Sequence, residues 1–417
     1  MGCIPDSARP EVALGAPDAG IAVPGSDRST ILLHNSLMPQ SSPRSPGRYF
    51  DYNGSTPLHP EVLALCEELQ REEWGNSAAP HPTGRSASER VEHARAQLAA
   101  ALGARPEEIY FTSGGTESNN WALFASARDR VKGHLVVTEI EHKSVLNAAL
   151  ELERRGFELT RVPPRSSGSI HLRDIQAALR DDTFLVSVMW ANNETGVCQP
   201  VREIASLCRK RDIRFHTDAV TVMGKLRIDL QEVDCDLLSI SGHKLHAPKG
   251  VGALFIREGV SLPPLFFGCG HQRGLRSGTE NTAAIAGLGH AATLAAQGAF
   301  ESRPTVESLR QQLWLGISER FPGAQRNGAG GLLPNTLNVH FPGVPAHELQ
   351  ARLAEMGFSV AAGAAGSGGA PSHVLMAMGL GSERARESLR FSLGHLTTSD
   401  DVNALLHCLE SVVAPTP

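Results

Sequence analysis

The stretch "SISGHKLHAPKG", residues 239–250, sets Lys244 just past an apolar run and between glycines 242 and 250. A lysine in a tight, partly desolvated turn loses part of its affinity for a proton and can add to an aldehyde. The plainer use of a lysine at such a place is to reach solvent. Four further polar clusters follow apolar runs in the same way. "RFHTDAV" ends a run in Asp218, a carboxylate that is costly to bury without a cationic partner. "VMWANNETG" brings Asn192, Asn193 and Glu194 together, a set that equally well caps a turn. "VVTEIEHKSV" supplies His142, whose ring could stack on a flat molecule or simply face water. "YFTSGGTESNN" opens a helical segment with Ser113, Gly114, Gly115 and Thr116. Small residues there leave backbone N–H groups free for a phosphate, although such turns also serve structure alone.

The surrounding elements give these clusters a common place. The runs "HLVVT", "FLVSVMW", "IRFHTD", "LLSIS" and "GALFI" are short and nearly all apolar, as strands covered on both faces are. Helical patterns such as "VREIASLCRKRD" lie between some of them, so the expectation is an α/β domain with a mostly parallel sheet. In such sheets ligands bind at the carboxyl ends of the strands, where all five clusters fall. "SASERVEHARAQLAAAL" begins with Ser86 and Glu89 at capping-box spacing, which predicts a helix opening at Ser86, with Val91, Ala94, Leu98 and Leu102 on its buried face. After about residue 300 the pattern becomes mixed: helices over "PTVESLRQQLWLGISERF" and "AHELQARLAEMG", strands over "NTLNVHF" and "SLRFSLG". The expected division is a disordered leader over 1–48, a large α/β domain over 49–300 whose first segment contacts a smaller one, and that smaller α+β domain over 301–417.

Composition narrows the function. A net charge of −5 with no basic stripe argues against a nucleic-acid binder, and no apolar run reaches the roughly 20 residues of a membrane helix. The seven cysteines, at 3, 66, 198, 208, 235, 269 and 408, show no CxxC spacing, which suggests neither a zinc site nor a disulfide framework and fits a reducing cytoplasm. The leader lacks the basic start and apolar core of a signal peptide. Taken together, the five clusters offer a phosphate turn, a stacking ring, an amide, a carboxylate for a pyridine nitrogen and an amine for an aldehyde. Pyridoxal 5'-phosphate needs that set.

The motifs "DYNGSTPLHPEV", "WGNSAAPHPTGRSA", "FTSGGTESNN", "TEIEHKSV", "ANNETG", "HTDA", "SGHKLHAPKG", "RGLRSGTEN" and "LRFSLG" resemble, in order from Tyr49 onward, the NifS-like cysteine desulfurases and selenocysteine lyases of the class V aminotransferase group, PLP fold type I. The resemblance implies that Lys244 bonds the coenzyme aldehyde, that Asp218 pairs with the pyridine nitrogen, and that His142 stacks on the ring and shares in catalysis. It places Asn193 near the ring oxygen and the substrate. Gly115, Thr116, Ser241 and His243 fall at the phosphate, and Arg390 at the substrate α-carboxylate. Thr279 matches a threonine given to the phosphate of the other subunit, which implies a homodimer.

Two departures stand out. Thr221 replaces a longer glutamine that helps hold the ring oxygen in the desulfurase pattern. The loop before "PSHVL" carries "GAAG", residues 363–366, so that Gly366 stands where the family's sulfur-accepting cysteine would be, and no cysteine occurs between 269 and 408. A glycine cannot take up sulfur. The expected reaction is therefore β-elimination from an S-substituted L-cysteine, giving a thiol and aminoacrylate, the latter hydrolysing to pyruvate and ammonia. The alternatives are a desulfurase or selenocysteine lyase using another thiol such as Cys269, or decarboxylation, oxidative deamination or transamination of a cysteine-derived amino acid. A non-catalytic protein that merely keeps the fold is opposed by the intact Lys244, Asp218 and Arg390.

Overall fold

Seven strands form the larger sheet: β1 (Ile109–Thr112), β2 (His134–Thr138), β3 (Glu158–Val162), β4 (Thr183–Ser187), β5 (Arg214–Asp218), β6 (Leu237–Ser241) and β7 (Gly252–Ile256). Their spatial order is β1-β7-β6-β5-β4-β2-β3. The computed structural model describes residues 48–298, 300, 303–363 and 370–413; Gly366 and all of the leader except Arg48 lie outside the described residues.

From β6 through β3 the neighbours run parallel. Parallel pairing requires crossovers, and helices α4 (Lys143–Arg154), α5 (Leu172–Ala178) and α6 (Val201–Lys210) provide them between β2 and β5. The link from β6 to β7 spans only residues 242–251, too short for a crossover, so β7 returns antiparallel with Ser241 opposite Gly252. Strands β2, β4, β6 and β7 are buried throughout, as their apolar runs require. The edge strand β3 alternates polar residues, and its pattern, "ELTRV", does not announce a strand.

Helices α1 (Pro60–Glu72), α2 (Pro82–Leu102), α3 (Gly115–Ala127) and α7 (Thr282–Ala296) complete the layers around this sheet. In α2 the predicted face, Val91, Ala94, Leu98 and Leu102, is buried. Its predicted start is wrong. The helix opens four residues earlier, with Pro82 in the first turn and His81 Nδ1 accepting from Gly84 N at 3.1 Å. Proline's fixed φ suits a helix start, while the Ser86 hydroxyl turns away to Glu73 Oε2 at 2.6 Å.

A second sheet, β8 (Gln325–Asn327), β9 (Thr336–His340) and β10 (Ser388–Ser392), is antiparallel in the order β10-β9-β8. With it come α8 (Arg303–Arg320), α9 (Ala346–Glu355), α10 (His373–Ala377), α11 (Ser382–Arg386) and α12 (Ser399–Val413). Its apolar cluster joins Leu313, Ile317, Val339, Leu349, Phe391 and Leu405 to Phe50, from the other end of the chain. Phe50 is fully buried, a contribution of roughly 2–3 kcal/mol. Backbone bonds fix the segment: Phe50 N donates to Ser359 O (2.8 Å), Tyr52 N to Ser392 O (3.2 Å) and Ser392 N to Phe50 O (2.8 Å). The described residues form one compact unit. Among the described residues no helix is long and apolar enough to cross a membrane.

Candidate active site

A cavity of about 530 Å³ opens at the carboxyl ends of β4, β5 and β6, beside the first turn of α3. Lys244 lines it from the β6–β7 turn, Asp218 from the end of β5, His142 from the N-cap of α4, and Arg390 from the middle of β10. The amine of Lys244 donates to the carbonyl oxygens of Asn53 and Gly54, the latter at 2.7 Å. Desolvation, reinforced by the charge of Arg390, pushes the Lys244 ammonium down to about 8, against the opposing pull of Asp51 and Asp218. About a tenth of the amine is thus neutral and nucleophilic at pH 7, far more than for an ordinary lysine.

Asp218 is nearly buried, and two neutral donors orient it: Asn119 Nδ2 to Oδ2 at 2.7 Å and Val220 N to Oδ1 at 2.9 Å. Its negative charge is left for a cationic group inside the cavity, such as a protonated pyridine. His142 is held below its ordinary protonation range, chiefly by burial and in part by Lys244.

The phosphate turn is built by close approach. A Cβ added to Gly115 would lie 2.6 Å from Val220 Cγ2, and one added to Gly252 would lie 2.6 Å from Gly114 Cα. Glycine at both places lets the turn settle onto the β7 end, so that Ser113, Gly114, Gly115 and Thr116 line the cavity with Ser241 and His243. Burial pushes His243 down to about 4, helped by Lys244, Lys249 and Lys225, so its ring is neutral near neutral pH.

Asn192 and its neighbour divide two tasks. Asn192 Oδ1 accepts from the backbone N–H groups of Glu194 and Thr195, both at 2.9 Å, and is the turn cap. Asn193 instead lines the cavity, while its carbonyl accepts from Arg390 Nη1 at 3.0 Å and from Asn53 Nδ2 at 3.1 Å. Arg390 is almost wholly buried, bonded through Nη2 to Asp51 Oδ1, and its Nε has no partner among the described residues.

Lys244, His142, Gly115, Thr116, Asn193, Asp218, Thr221, Ser241, His243 and Arg390 therefore meet around one cavity. Thr279 does not; it is exposed and absent from the lining. Sequence reasoning passed over Asn119, Ser144, Asp51 and the carbonyls of Asn53 and Gly54. The first three sit inside quoted motifs, whereas backbone carbonyls carry no side-chain signal. It also passed over Glu117, where Arg276 and Ser113 overcome the upward push of burial to keep the carboxylate below its usual range. The forked Arg276–Glu117 contact (2.8 and 3.0 Å) ties the segment before Thr279 to α3.

Residues 48–405 match the family profile Aminotransferase class-V. The chain belongs to the class-V aminotransferase family. The cysteine desulfurase IscS of Clostridium botulinum is 40% identical over 372 residues, covering 88% of this chain and 94% of that relative. A solved NifS-like protein superposes with a TM-score of 0.83 at 37% identity, covering 88% of this chain and 99% of the other. SspA, solved in complex with cysteine, superposes at 0.75 and 37% identity over 84% of this chain and all of its own.

This class-V protein is a PLP-dependent enzyme of the NifS-like group. The cavity fits that coenzyme on its own evidence: a glycine cradle that a single Cβ would fill, and a buried carboxylate that, among the described residues, is held by the two neutral donors named above.

Proposed function

We propose that this enzyme cleaves the Cβ–S bond of an S-substituted L-cysteine by elimination and passes no sulfur to a cysteine of its own. Lys244 would hold the coenzyme aldehyde, Asp218 the pyridine nitrogen, Asn193 and Thr221 the ring oxygen, and His142 the ring face. Gly115, Thr116, Ser241 and His243 would hold the phosphate. When bound, PLP supplies an electron sink for the pair left at Cα.

The protein's own part follows from geometry and charge. Arg390, fixed by Asp51 and Asn193, presents a planar guanidinium to the α-carboxylate. The Lys244 amine, released when the substrate amine takes its place at the aldehyde, would take the Cα proton. The C–S bond then breaks with its electron pair on sulfur, which leaves as a thiolate and gains a proton. Aminoacrylate adds water and yields pyruvate and ammonia, with no net oxidation or reduction.

One observation carries this reading: no cysteine is among the described residues lining the cavity, and none occurs in the sequence between 269 and 408. The amino-acid substrate is supported by the relative solved with cysteine. The exposed position of Thr279 supports a homodimer in which it serves the partner's phosphate site, and the cysteine pattern supports a cytoplasmic setting.

A second reading rests on Cys269, an exposed thiol ten residues before Thr279. It would make the enzyme a cysteine desulfurase or selenocysteine lyase with an unusual acceptor. The deciding experiment incubates PLP-loaded protein with S-alkyl cysteines, free cysteine and selenocysteine, following thiol, sulfide, selenide, pyruvate, carbon dioxide and protein-bound persulfide separately. Thiol and pyruvate in equal amounts from the S-alkyl substrates support elimination. A persulfide that vanishes in Cys269→Ala supports the second reading.

A further inference from the structure

Between His142 and Asp218 runs a continuous line of hydrogen bonds that the proposed chemistry does not use. Asn119, on the second turn of α3, donates from Nδ2 to Asp218 Oδ2 (2.7 Å) and to Ser144 Oγ (2.9 Å). Ser144 Oγ lies 2.7 Å from His142 Nδ1, and the Ser144 backbone N–H donates to the same nitrogen at 3.1 Å. Asn119 is nearly inaccessible, and its Oδ1 has no partner among the described residues. Three elements, α3, α4 and β5, converge in these four side chains.

The proton positions follow from the donors. A backbone N–H can only donate, so His142 Nδ1 must be an acceptor, and the single ring proton of the neutral form sits on Nε2. The Asn119 amide cannot be reversed without setting its carbonyl against the Asp218 carboxylate. Its N–H therefore occupies a lone pair of Ser144 Oγ, and the Ser144 O–H is turned toward His142 Nδ1. Both bonds favour the neutral imidazole, because a protonated Nδ1 would meet two hydrogens. We propose that Asn119 and Ser144 are positioning residues that lock His142 as the neutral Nε2–H tautomer and join it to Asp218.

The lock has a clear use beside a cationic ring. A charged imidazolium stacked on a protonated pyridine would be repelled, whereas a neutral ring is not, and its one N–H is left for the cavity. Burial is the main influence disfavouring the charged ring; Lys244, His373 and Lys143 act the same way and Asp218 opposes them. The device depends on the fold of this site and not on which bond the enzyme breaks.

The test is nitrogen-15 NMR of histidine-labelled protein, coenzyme-free and PLP-loaded, with the His142 signals assigned by their loss in His142→Asn. Native protein is expected to show a protonated Nε2 and an unprotonated Nδ1 above its titration midpoint. Asn119→Ala and Ser144→Ala each weaken donation to Nδ1, so both should move that midpoint to higher pH. Thermal unfolding and the coenzyme absorption band show whether each variant is folded and loaded; should Asn119→Ala not fold, Ser144→Ala, which loses one oxygen, carries the test. An Nδ1–H tautomer in the native protein, or an unmoved midpoint in the folded variants, would overturn the proposal. The readout needs no turnover, so it stands or falls independently of the substrate.

Discussion

Arg390 Nη2 reaches Asp51 Oδ1 at 2.5 Å while Nη1 donates to the carbonyl of Asn193, so the guanidinium is fixed from two elements, and its buried Nε has no partner among the described residues. The carboxylate of Asp51 comes from the N-terminal segment and the carbonyl from the β4 turn. A substrate carboxylate therefore meets a donor whose orientation is already set, which lessens the ordering it must impose.

Replacing Arg390 by alanine is expected to raise KM about a hundredfold, on the order of 3 kcal/mol, because a charge-assisted pair is lost from a buried position. Arg390→Lys should recover only part of that, since lysine lacks the fork. Asp51→Asn keeps the shape and removes the charge. It should raise KM less than Arg390→Ala, read from initial rates on one substrate.

Coenzyme capture should follow the charge of Lys244. Its ammonium loses a proton near pH 8, so the rate at which coenzyme-free protein takes up PLP should rise through that pH and level off above it. Stopped-flow absorbance checks the midpoint; a rate independent of pH between 7 and 9 would contradict the neutral-amine account. Lys244→Ala should take up coenzyme without forming the covalent band.

Gly115→Ala places a methyl group 2.6 Å from Val220 Cγ2. Strain of this kind typically costs about 1–3 kcal/mol. PLP affinity should fall by roughly tenfold or more, and the double variant Gly115→Ala with Val220→Ala should regain part of it in an equilibrium titration.

Glu141 is wholly buried in the loop after β2, and burial pushes its carboxyl up to about 8, even though Thr138 and Met189 donate to it. The unfolded chain releases that proton near its ordinary 4.5, so between the two values the folded state holds more protons and stability falls as pH rises. The contribution is fully present below 4.5 and lost through pH 8, with a slope of at most about 1.4 kcal/mol per pH unit. Glu141→Gln should flatten that part of the profile in denaturant titrations.

Much of the site could be read from residue order because its side chains sit at strand ends, and apolar runs mark those ends clearly. Lys244, Asp218 and His142 each follow such a run by no more than four residues. The polar edge strand β3 left no such mark, since one face and one edge meet solvent. The start of α2 was misplaced because a proline and a histidine cap gave a weaker written signal than the Ser86 and Glu89 pair inside the helix. The carbonyls that hold Lys244 were unreadable for a different reason: only the fold brings residue 53 to residue 244.

The pairing of Phe50 and Tyr52 with Ser392 has a consequence for biosynthesis. Two carbonyls from the Asn53–Gly54 segment hold the reactive amine, yet that segment is seated by a strand made some 340 residues later. A nascent chain still lacking β10 would carry Lys244 without its final setting. Coenzyme loading should thus await near-completion of translation, and ribosome-bound chains stalled before and after residue 392 should differ sharply in their ability to acquire the cofactor's colour.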